Sequence, residues 1–398
     1  MTKFSLSRTT YEARVEKIRE KLSKRNLDAL YLSSAINIFY VSGFFHIPTE
    51  RPIVLVIPSN GEIFCIAPSL EQDNIEQKVP FVRDFSFYFE YPGKTHPMSH
   101  IAKTLKKRGF DKKRIGIDYF AAATWGYKGP ALTEKLTSLR CVDAKDMIDN
   151  MRIIKTEEEI DLIKESAKWG NLAHAYLQEY IEPGKLEMEV SLQASFEASK
   201  ALIKTLGSEY GELRWGRNPI FAGVKGGPQT GFAHPLSPNR KLRQGDILMS
   251  FSRGAVIGGY DSELERTMFL GQPDKRQEKL FQTALEAQTL ALEALKPGVR
   301  CCDVDKIAMN AIKEAGYSKL IRHRTGHGLG LEAHEPPWID EGDASVLKEG
   351  MVVTCEPALY ISGYGGFRHS DTAIITEDGA DITTYYPRDI ESLTIRRY

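Results

Sequence analysis

Long apolar runs are missing from this sequence of 398 residues. None reaches the roughly 18 consecutive apolar residues of a membrane-spanning helix. The opening stretch MTKFSLSRTTYEARVEKIREK has no apolar segment of the kind found in a signal peptide. An excess of either charge is missing as well, since 53 Lys and Arg balance 53 Asp and Glu. We therefore expect a cytoplasmic protein without a nucleic-acid or membrane partner.

Cysteine is scarce, with five residues that are odd in number and scattered along the chain. None of them forms a Cys-x-x-Cys pair, which disfavours both a disulfide framework and a zinc knuckle. We interpret them as reduced thiols. Cys355 lies beside a candidate site residue, but the role of a small buried hydrophobic side chain is the favoured interpretation.

The length and the hydrophobic patterning indicate two domains, because 398 residues exceed what one hydrophobic core usually organises. Residues 1–150 alternate helical and strand patterns, and two of their apolar runs are joined by the hairpin signal Asn60-Gly61. Such alternation is typical of a small α/β domain. Long helical patterns then begin at Thr156, a predicted N-cap. We therefore predict domains at 1–150 and 151–398.

A weak internal repeat within residues 151–398 favours a pseudo-symmetric domain. The segments LQEYIEPGKLEMEVSLQASFEASKAL and LEALKPGVRCCDVDKIAMNAIKEAG both have the pattern helix, Pro-Gly, helix, around Pro183 and Pro297. A repeated unit of this kind predicts an α+β domain with a site where its two halves meet. The alternative is that Pro-Gly is only common punctuation between helices.

Chemically active side chains collect at the ends of several predicted strands. SRGAVIGGYDSELERT closes on Glu263 and Glu265, and RTGHGLGLEAHEPP carries His327 and His334 in a glycine-rich segment that is unsuited to a helix. GMVVTCEPALYI places Glu356 after an apolar run, where a buried carboxylate needs a partner. Such strand ends are compatible with a metal site, an acid/base site or a salt-bridged edge.

Three further segments extend this set. GYGGFRHSDTAII brings Arg368 and His369 to the start of the next strand, and GPQTGFAHPLSP offers His234. The loop GELRWGRNPIFAGVKGGPQ carries Trp215 and Arg217, which are candidates either for pocket lining or for simple packing. A single histidine is more often structural. The convergence of several strand ends is the stronger indication of one site.

The motifs GDILMSFSRGAVIGGYDSELERT, TGHGLGLEAHEPP, GMVVTCEPALY and GGFRHSDTAIITEDG resemble, in order and approximate spacing, the creatinase, prolidase and methionine aminopeptidase family. The resemblance covers essentially the whole chain and is closest in layout to Xaa-Pro dipeptidase and creatinase. It implies an α+β fold: an N-terminal α/β domain like that of creatinase and prolidase, followed by a pseudo-twofold pita-bread catalytic domain.

The resemblance also implies a metal site that this sequence holds only in part. Metallopeptidases of the family bind two divalent ions through two Asp, one His and two Glu. Glu263, His327 and Glu356 match three of these ligands, but Ser252 and Ser370 stand where the first Asp and the last Glu are expected. Hydroxyls replace bridging carboxylates poorly. We therefore expect one divalent ion (Mn, Co or Zn) or none.

Creatinase resembles this fold yet works without metal, and so implies a different chemistry. Its ALERT stretch resembles SELERT, which places Glu265 on a catalytic carboxylate, and Glu356 matches another. Its catalytic histidine lies in a GAHNP stretch that resembles GFAHP, so His234 is the matching residue. A neutral imidazole near two carboxylates can transfer protons during hydrolysis of a C–N bond.

Three hypotheses follow from the resemblance. The leading one is an Xaa-Pro dipeptidase-like hydrolase with a depleted metal site, in which Arg368 and His369 bind a carboxylate of a dipeptide or other small substrate. The second is a metal-independent, creatinase-like hydrolase of a small amide or amidine. The third is a non-enzymatic binding module. We expect a homodimer, as is common among relatives. The predicted catalytic residues are His234, His334, Glu265 and Glu356.

Overall fold

The computed structural model describes residues 3–79, 81–120, 126–210, 219–234 and 236–397. These residues divide into two compact units: the N-terminal unit Leu6–Met151, and a C-terminal unit made of residues 152–397 together with residues 3–5. Trp215 and Arg217 lie outside the described residues. Within the described ranges, every helix is too short or too polar to cross a membrane.

The N-terminal unit is a mixed sheet with helices packed against it. Its helices are α1 (Arg8–Lys24), α2 (Ala35–Ser42), α3 (Gln72–Lys78), α4 (Pro97–Lys107), α5 (Leu132–Lys135) and α6 (Lys145–Arg152). Its strands are β1 (Ala29–Leu32), β2 (Val54–Pro58), β3 (Phe64–Pro68), β4 (Asp84–Tyr88), β5 (Arg114–Ile117) and β6 (Arg140–Asp143). Their order, within the described part of the chain, is β4-β3-β2-β1-β5-β6.

Sequence patterns account for the centre of this sheet. All residues of β1, β2 and β3 are buried, as expected for continuous apolar runs covered on both faces. β2 and β3 pair antiparallel across the predicted Asn60-Gly61 turn, where Gly61 adopts φ +103°, a conformation that favours glycine. The hairpin prediction is confirmed.

The C-terminal unit contains long helices and several small sheets. Its helices are α7 (Glu157–Tyr180), α8 (Glu187–Leu206), α9 (Lys275–Ala294) and α10 (Cys301–Glu314). Its strands are β7 (Ile220–Gly226), β8 (Ile247–Ala255), β9 (Leu264–Leu270), β10 (Gly326–Gly328), β11 (Glu335–Ile339), β12 (Val352–Cys355), β13 (Ala358–Ile361), β14 (Gly365–Arg368), β15 (Asp371–Ile375), β16 (Ala380–Ile382) and β17 (Thr394–Ile395). As far as the chain is described, the sheets are β17-β9-β8-β7, β11-β10-β12-β15-β16 and β13-β14.

Short sequence signals, an N-cap and two Pro-Gly segments, mark where these helices begin and end. Thr156 is the N-cap of α7: its hydroxyl accepts from Glu159 N at 3.4 Å, and Glu159 Oε2 accepts from Thr156 N at 2.8 Å, which closes a capping box. Both predicted Pro-Gly segments separate helix pairs, α7 from α8 and α9 from α10. Gly184 and Gly298 adopt nearly the same conformation, with φ +89° and +88°.

A row of serines on α8 fixes the edge strand β7. Ser191, Ser195 and Ser199 accept hydrogen bonds from backbone N–H groups of alternate β7 residues, at 3.1, 3.0 and 3.3 Å respectively. The spacings match because four helical residues rise about 6 Å and two strand residues advance about 6.6 Å. These outward-facing N–H groups of the edge strand thereby have hydrogen-bond partners, and β7 is held beside β8.

Backbone pairing brings the polar strand ends of the C-terminal unit together. β8 and β9 run antiparallel with Phe251 opposite Glu265, and two backbone hydrogen bonds of 3.1 and 3.0 Å link Glu265 to Ser370. His327 N donates to the Thr354 hydroxyl at 3.0 Å, which joins β10 to β12 just before Glu356. The quoted motifs therefore meet in space although they are far apart in sequence.

Candidate active site

A cavity of about 780 Å³ lies where these strand ends meet. Its walls combine apolar side chains, among them Phe221 and Phe251, with charged groups. Six residues of the predicted site line it: His234, Glu263, Glu265, His334, Glu356 and Arg368. The structure therefore places in one cavity residues that span more than a hundred positions of the sequence.

Glu265 and Arg368 form a buried ion pair in the cavity wall. Arg368 Nη2 donates to Glu265 Oε1 at 2.6 Å, and Arg368 Nε pairs with the other carboxylate oxygen. The same guanidinium lies 3.9 Å from Glu356 Oε2. Burial raises the pKa of Glu265 to about 8, although the charge of Arg368 opposes the shift. Because Arg368 is already matched by Glu265, it is poorly suited to the predicted role of binding a substrate carboxylate.

Tyr360 and His323, which the sequence analysis missed, hold the other side of Arg368. Arg368 Nη1 donates to the Tyr360 hydroxyl at 3.0 Å, and this hydroxyl lies 3.0 Å from His323 Nε2. His323 Nδ1 lies 2.7 Å from the Arg324 carbonyl oxygen, which can only accept, so Tyr360 donates to Nε2 of the neutral ring. Burial lowers the pKa of His323, in agreement with a neutral ring. The chain of hydrogen bonds fixes the guanidinium.

Glu263 and Glu356 are buried close to His327. Ser370 Oγ donates to Glu263 Oε1 at 2.9 Å, and His327 Nε2 lies 3.1 Å from Glu356 Oε1. Burial and the charge of Glu356 raise the pKa of Glu263. Burial would also raise the pKa of Glu356, but His327 and Arg368 outweigh it and lower this pKa to about 2. Adjacent carboxylates thus differ in proton affinity, as acid/base chemistry requires.

The imidazole of His334 covers that of His327. Their ring centroids are 3.8 Å apart and their planes differ by 21°. Partial burial and the neighbouring His327 lower the pKa of His334 to about 4, so the His334 ring is neutral near pH 7. His234 is exposed on the cavity wall. Both imidazoles are therefore accessible to a molecule in the cavity.

His369 lies outside the cavity, directly after Arg368 in the link between β14 and β15. Its ring is fully buried and meets Phe281 edge-on, with centroids 4.6 Å apart. Burial, with the charge of Arg266 nearby, holds the pKa of His369 well below its usual range. Neither ring nitrogen has a hydrogen-bond partner among the described residues. His369 is therefore not placed to bind a substrate carboxylate as predicted, because its ring is neutral and enclosed.

Several of these side chains could ligate a metal. Ligand atoms of Glu263, His327 and His334 lie within 4.8 Å of one another, as do those of Glu263, Glu265 and Glu356. The first group has poor geometry for an ion, because a metal lies in the plane of a ligating imidazole. One ion cannot lie in the planes of two rings stacked 3.8 Å apart.

A centre with two ions does not fit the residues present. Ser252 Oγ accepts from Gly254 N at 3.0 Å, and Ser370 Oγ donates to Glu263, so neither hydroxyl acts as an anionic bridge. Two ions about 3.5 to 4 Å apart need such bridges. The guanidinium of Arg368 also supplies positive charge to the Glu265 and Glu356 carboxylates directly.

The fold and the cavity are those of the pita-bread class of enzymes. Comparison with known proteins identifies the family within this class. Residues 161–377 match metallopeptidase family M24, and residues 14–154 match the creatinase/prolidase N-terminal domain. The chain therefore belongs to metallopeptidase family M24. The predicted resemblance and the α+β fold class are confirmed.

Individual relatives support this assignment over nearly the whole chain. The Xaa-Pro dipeptidase of Pyrococcus furiosus is 31% identical over 379 residues, which cover 95% of this chain and 99% of the relative. The solved structure of the prolidase from Pyrococcus horikoshii is 28% identical with a TM-score of 0.78 and covers 95% and 99% of the two chains. The Xaa-Pro dipeptidase from Bacillus anthracis is 25% identical with a TM-score of 0.80 and covers 96% and 99%.

Proposed function

We propose that the chain is a prolidase-like hydrolase that cleaves the C–N bond of a small Xaa-Pro dipeptide. The observation that carries the proposal is the convergence of Glu265, Glu356, His234 and His334 on one cavity, in a chain that matches dipeptidases along nearly its full length. The relatives described above are named as Xaa-Pro dipeptidases or prolidases, which favours this function over an amidine hydrolase and over a binding module.

The proposed chemistry is acid/base hydrolysis by the side chains of this chain. Glu265 and Glu356 orient a water molecule, and the imidazole of His234 or His334 takes its proton as the oxygen bonds to the carbonyl carbon. The proton then passes to the leaving nitrogen as the C–N bond breaks. General acid/base catalysis of this kind contributes about 10²- to 10⁴-fold in rate.

We infer that this hydrolysis does not depend on a two-ion centre. Glu263, His327 and Glu356 are the donors that remain for one Mn, Co or Zn ion. When bound there, an ion would supply Lewis acidity toward the substrate carbonyl. The creatinase-like match of Glu265 supports acid/base chemistry without metal, and it is the reason to keep an amide or amidine as the second candidate substrate.

The function is tested by hydrolysis of a panel of Xaa-Pro dipeptides, with the corresponding Xaa-Ala dipeptides as controls. We expect turnover of the Xaa-Pro members and its loss in His234→Ala or His334→Ala, whichever imidazole carries the proton. Unchanged rates in both variants would exclude the proposed acid/base role. Turnover of amides or amidines but not of dipeptides would favour the second candidate.

We also infer a homodimer, supported by an apolar stripe on α8. Met188, Leu192, Phe196 and Ile203 recur at helical spacing on one face and are 49% to 62% exposed. Light scattering should give the mass of two chains for the wild type and of one chain for Phe196→Glu. Lys275→Glu, an exposed change on α9, is the control.

A cytoplasmic location is supported by the cysteines. All five are free thiols, of which Cys65, Cys301 and Cys355 are buried. Free thiols are typical of reducing compartments.

A further inference from the structure

The charges of the cavity are divided unevenly between its walls. Glu263, Glu265 and Glu356 present carboxylate oxygens within 4.8 Å of one another on one wall. The guanidinium of Arg368 lies in the same wall, paired with Glu265 and close to Glu356. Because Glu265 and Glu356 already engage this guanidinium, the wall offers a substrate carboxylate no free cation.

Arg253 supplies a second guanidinium to the cavity. It is the exposed residue of the strand segment between Ser252 and Gly254, both of which are buried, and it lines the cavity beside them. Within the described parts of the chain, its side chain forms no ion pair of 4 Å or less. Arg253 thus differs from Arg368 in two respects. It is solvent-accessible, and no carboxylate of the described residues pairs with it within 4 Å, although Asp261 lines the same cavity.

The surroundings of Arg253 suit the C-terminal half of an Xaa-Pro dipeptide. Phe221 and Phe251 line the same cavity, and their rings contact each other with centroids 5.6 Å apart. Val256 adds a further apolar surface. A pyrrolidine ring can pack on these groups while its carboxylate reaches a guanidinium, the side chain best matched to planar carboxylates.

We propose that Arg253, rather than Arg368, binds the free carboxylate of the substrate and so selects short peptides with a free C-terminus. This inference rests on the proposed function. The carboxylate then lies on the Arg253 side, and the scissile bond lies between Arg253 and the wall formed by Glu265 and Glu356. Arg253 and His334 line the same cavity.

The test compares Arg253→Met with the wild type on two substrates, Gly-Pro and its C-terminal amide. Loss of a charge-assisted hydrogen bond should raise the KM for Gly-Pro about 10- to 100-fold. The kcat should change much less, and the kinetic constants for the amide should not change. Arg253→Lys should restore part of the affinity, because it keeps the charge but not the bidentate geometry. Arg243→Met, an exposed arginine of the same unit outside the cavity, is the matched control.

The inference is overturned if Arg253→Met leaves the KM for Gly-Pro unchanged, or if it weakens Gly-Pro and the amide equally. In both cases the proposed function still stands, because the wild type turns over the dipeptide. If the wild type hydrolyses no Xaa-Pro dipeptide, the proposed function fails instead. Calorimetry with L-proline and prolinamide then decides the inference. Tighter binding of proline that Arg253→Met abolishes supports it, and binding that Arg253→Met leaves unaltered, or the absence of binding to the wild type, contradicts it.

Discussion

Two arginine–carboxylate pairs lie on opposite faces of the same strand ends, and they differ in how completely they are satisfied. Arg266 pairs with Asp371 at 2.8 Å, and both side chains are fully buried. The Arg266 guanidinium also donates to the carbonyl oxygens of Glu265, Ser370, Tyr386 and Pro387, so all its donors are used. Asp371 accepts additionally from Gln288 and Thr384.

The pair of Glu265 and Arg368 has the same chemistry but faces the cavity. Its carboxylate is surrounded by other carboxylates, and burial raises its pKa to about 8. A buried pair with every hydrogen bond made serves the fold, whereas a buried pair next to like charges holds groups ready to exchange protons. β9 therefore has two faces: a structural face, which carries Arg266, and a chemical face, which carries Glu265.

The largest expected effect is on the structural face. Arg266→Met leaves Asp371 buried without its cation, which costs about 3 to 5 kcal/mol of the free energy of unfolding. Urea denaturation followed by circular dichroism measures this loss. Arg300→Met removes an exposed arginine paired with Asp303 and should leave the unfolding curve unchanged. Equal curves for all three proteins would show that the Arg266 pair does not stabilise the fold.

On the chemical face, Glu265→Gln should abolish activity with little loss of stability. We expect kcat for an Xaa-Pro dipeptide to fall by about 10²- to 10⁴-fold, because a proton-transfer or water-orienting carboxylate is lost. The fold should persist, since the new amide oxygen can still accept from Arg368. Glu377→Gln, an exposed change outside the cavity, should behave as the wild type. Full activity in Glu265→Gln would place the chemistry elsewhere.

A third prediction concerns restoring, on the chemical face, the two metal ligands that the family resemblance leads us to expect. Ser252→Asp combined with Ser370→Glu supplies two anionic ligands and should tighten binding of Mn²⁺ or Co²⁺ in calorimetric titrations. Each single substitution should give a smaller gain, since both positions are needed to bridge two ions. If the double variant binds these ions no more tightly than the wild type, the assignment of the ligand positions is wrong.

The last expected effect is a pH dependence of the structural face, which is small near neutral pH and grows as the pH falls. His174 is fully buried next to Arg266, and burial lowers its pKa to about 3 from a usual value of 6.5. Between these values the unfolded chain binds more protons than the folded one, so stability falls as pH falls below about 6.5. In urea denaturation across this range, His174→Gln should lose less stability than the wild type. Parallel curves would contradict a buried neutral His174.

Much of the fold follows from local signals in the sequence. The Asn60-Gly61 turn, the Thr156 cap and the two Pro-Gly breaks are set by residues close together in the chain, and the structure contains all of them. The serine row on α8 was not predictable in the same way. Serines at positions i, i+4 and i+8 have meaning only once a strand of matching spacing lies beside the helix.

The candidate site was predictable in its residue types but not in their partners. The alternation of side chains along β9 separates Arg266 from Glu265. This signal is present in SELERT, whereas His369 follows the last residue of β14 and its complete burial depends on tertiary packing. The pairing of Arg368 with Glu265 depends on the contact between β9 and the start of β15, which no local pattern specifies. The proposed role of Arg253 depends on the same pairing, because Arg368 is engaged by Glu265.

The central claim is that this member of family M24 hydrolyses a C–N bond without a two-ion centre. The most direct test is hydrolysis of an Xaa-Pro dipeptide by wild-type protein stripped with a chelator, with bound metal quantified by mass spectrometry. We predict that turnover persists with less than one ion per chain and disappears in Glu265→Gln. Turnover that vanishes on stripping and returns only as two Mn²⁺ ions bind to each chain would contradict the claim.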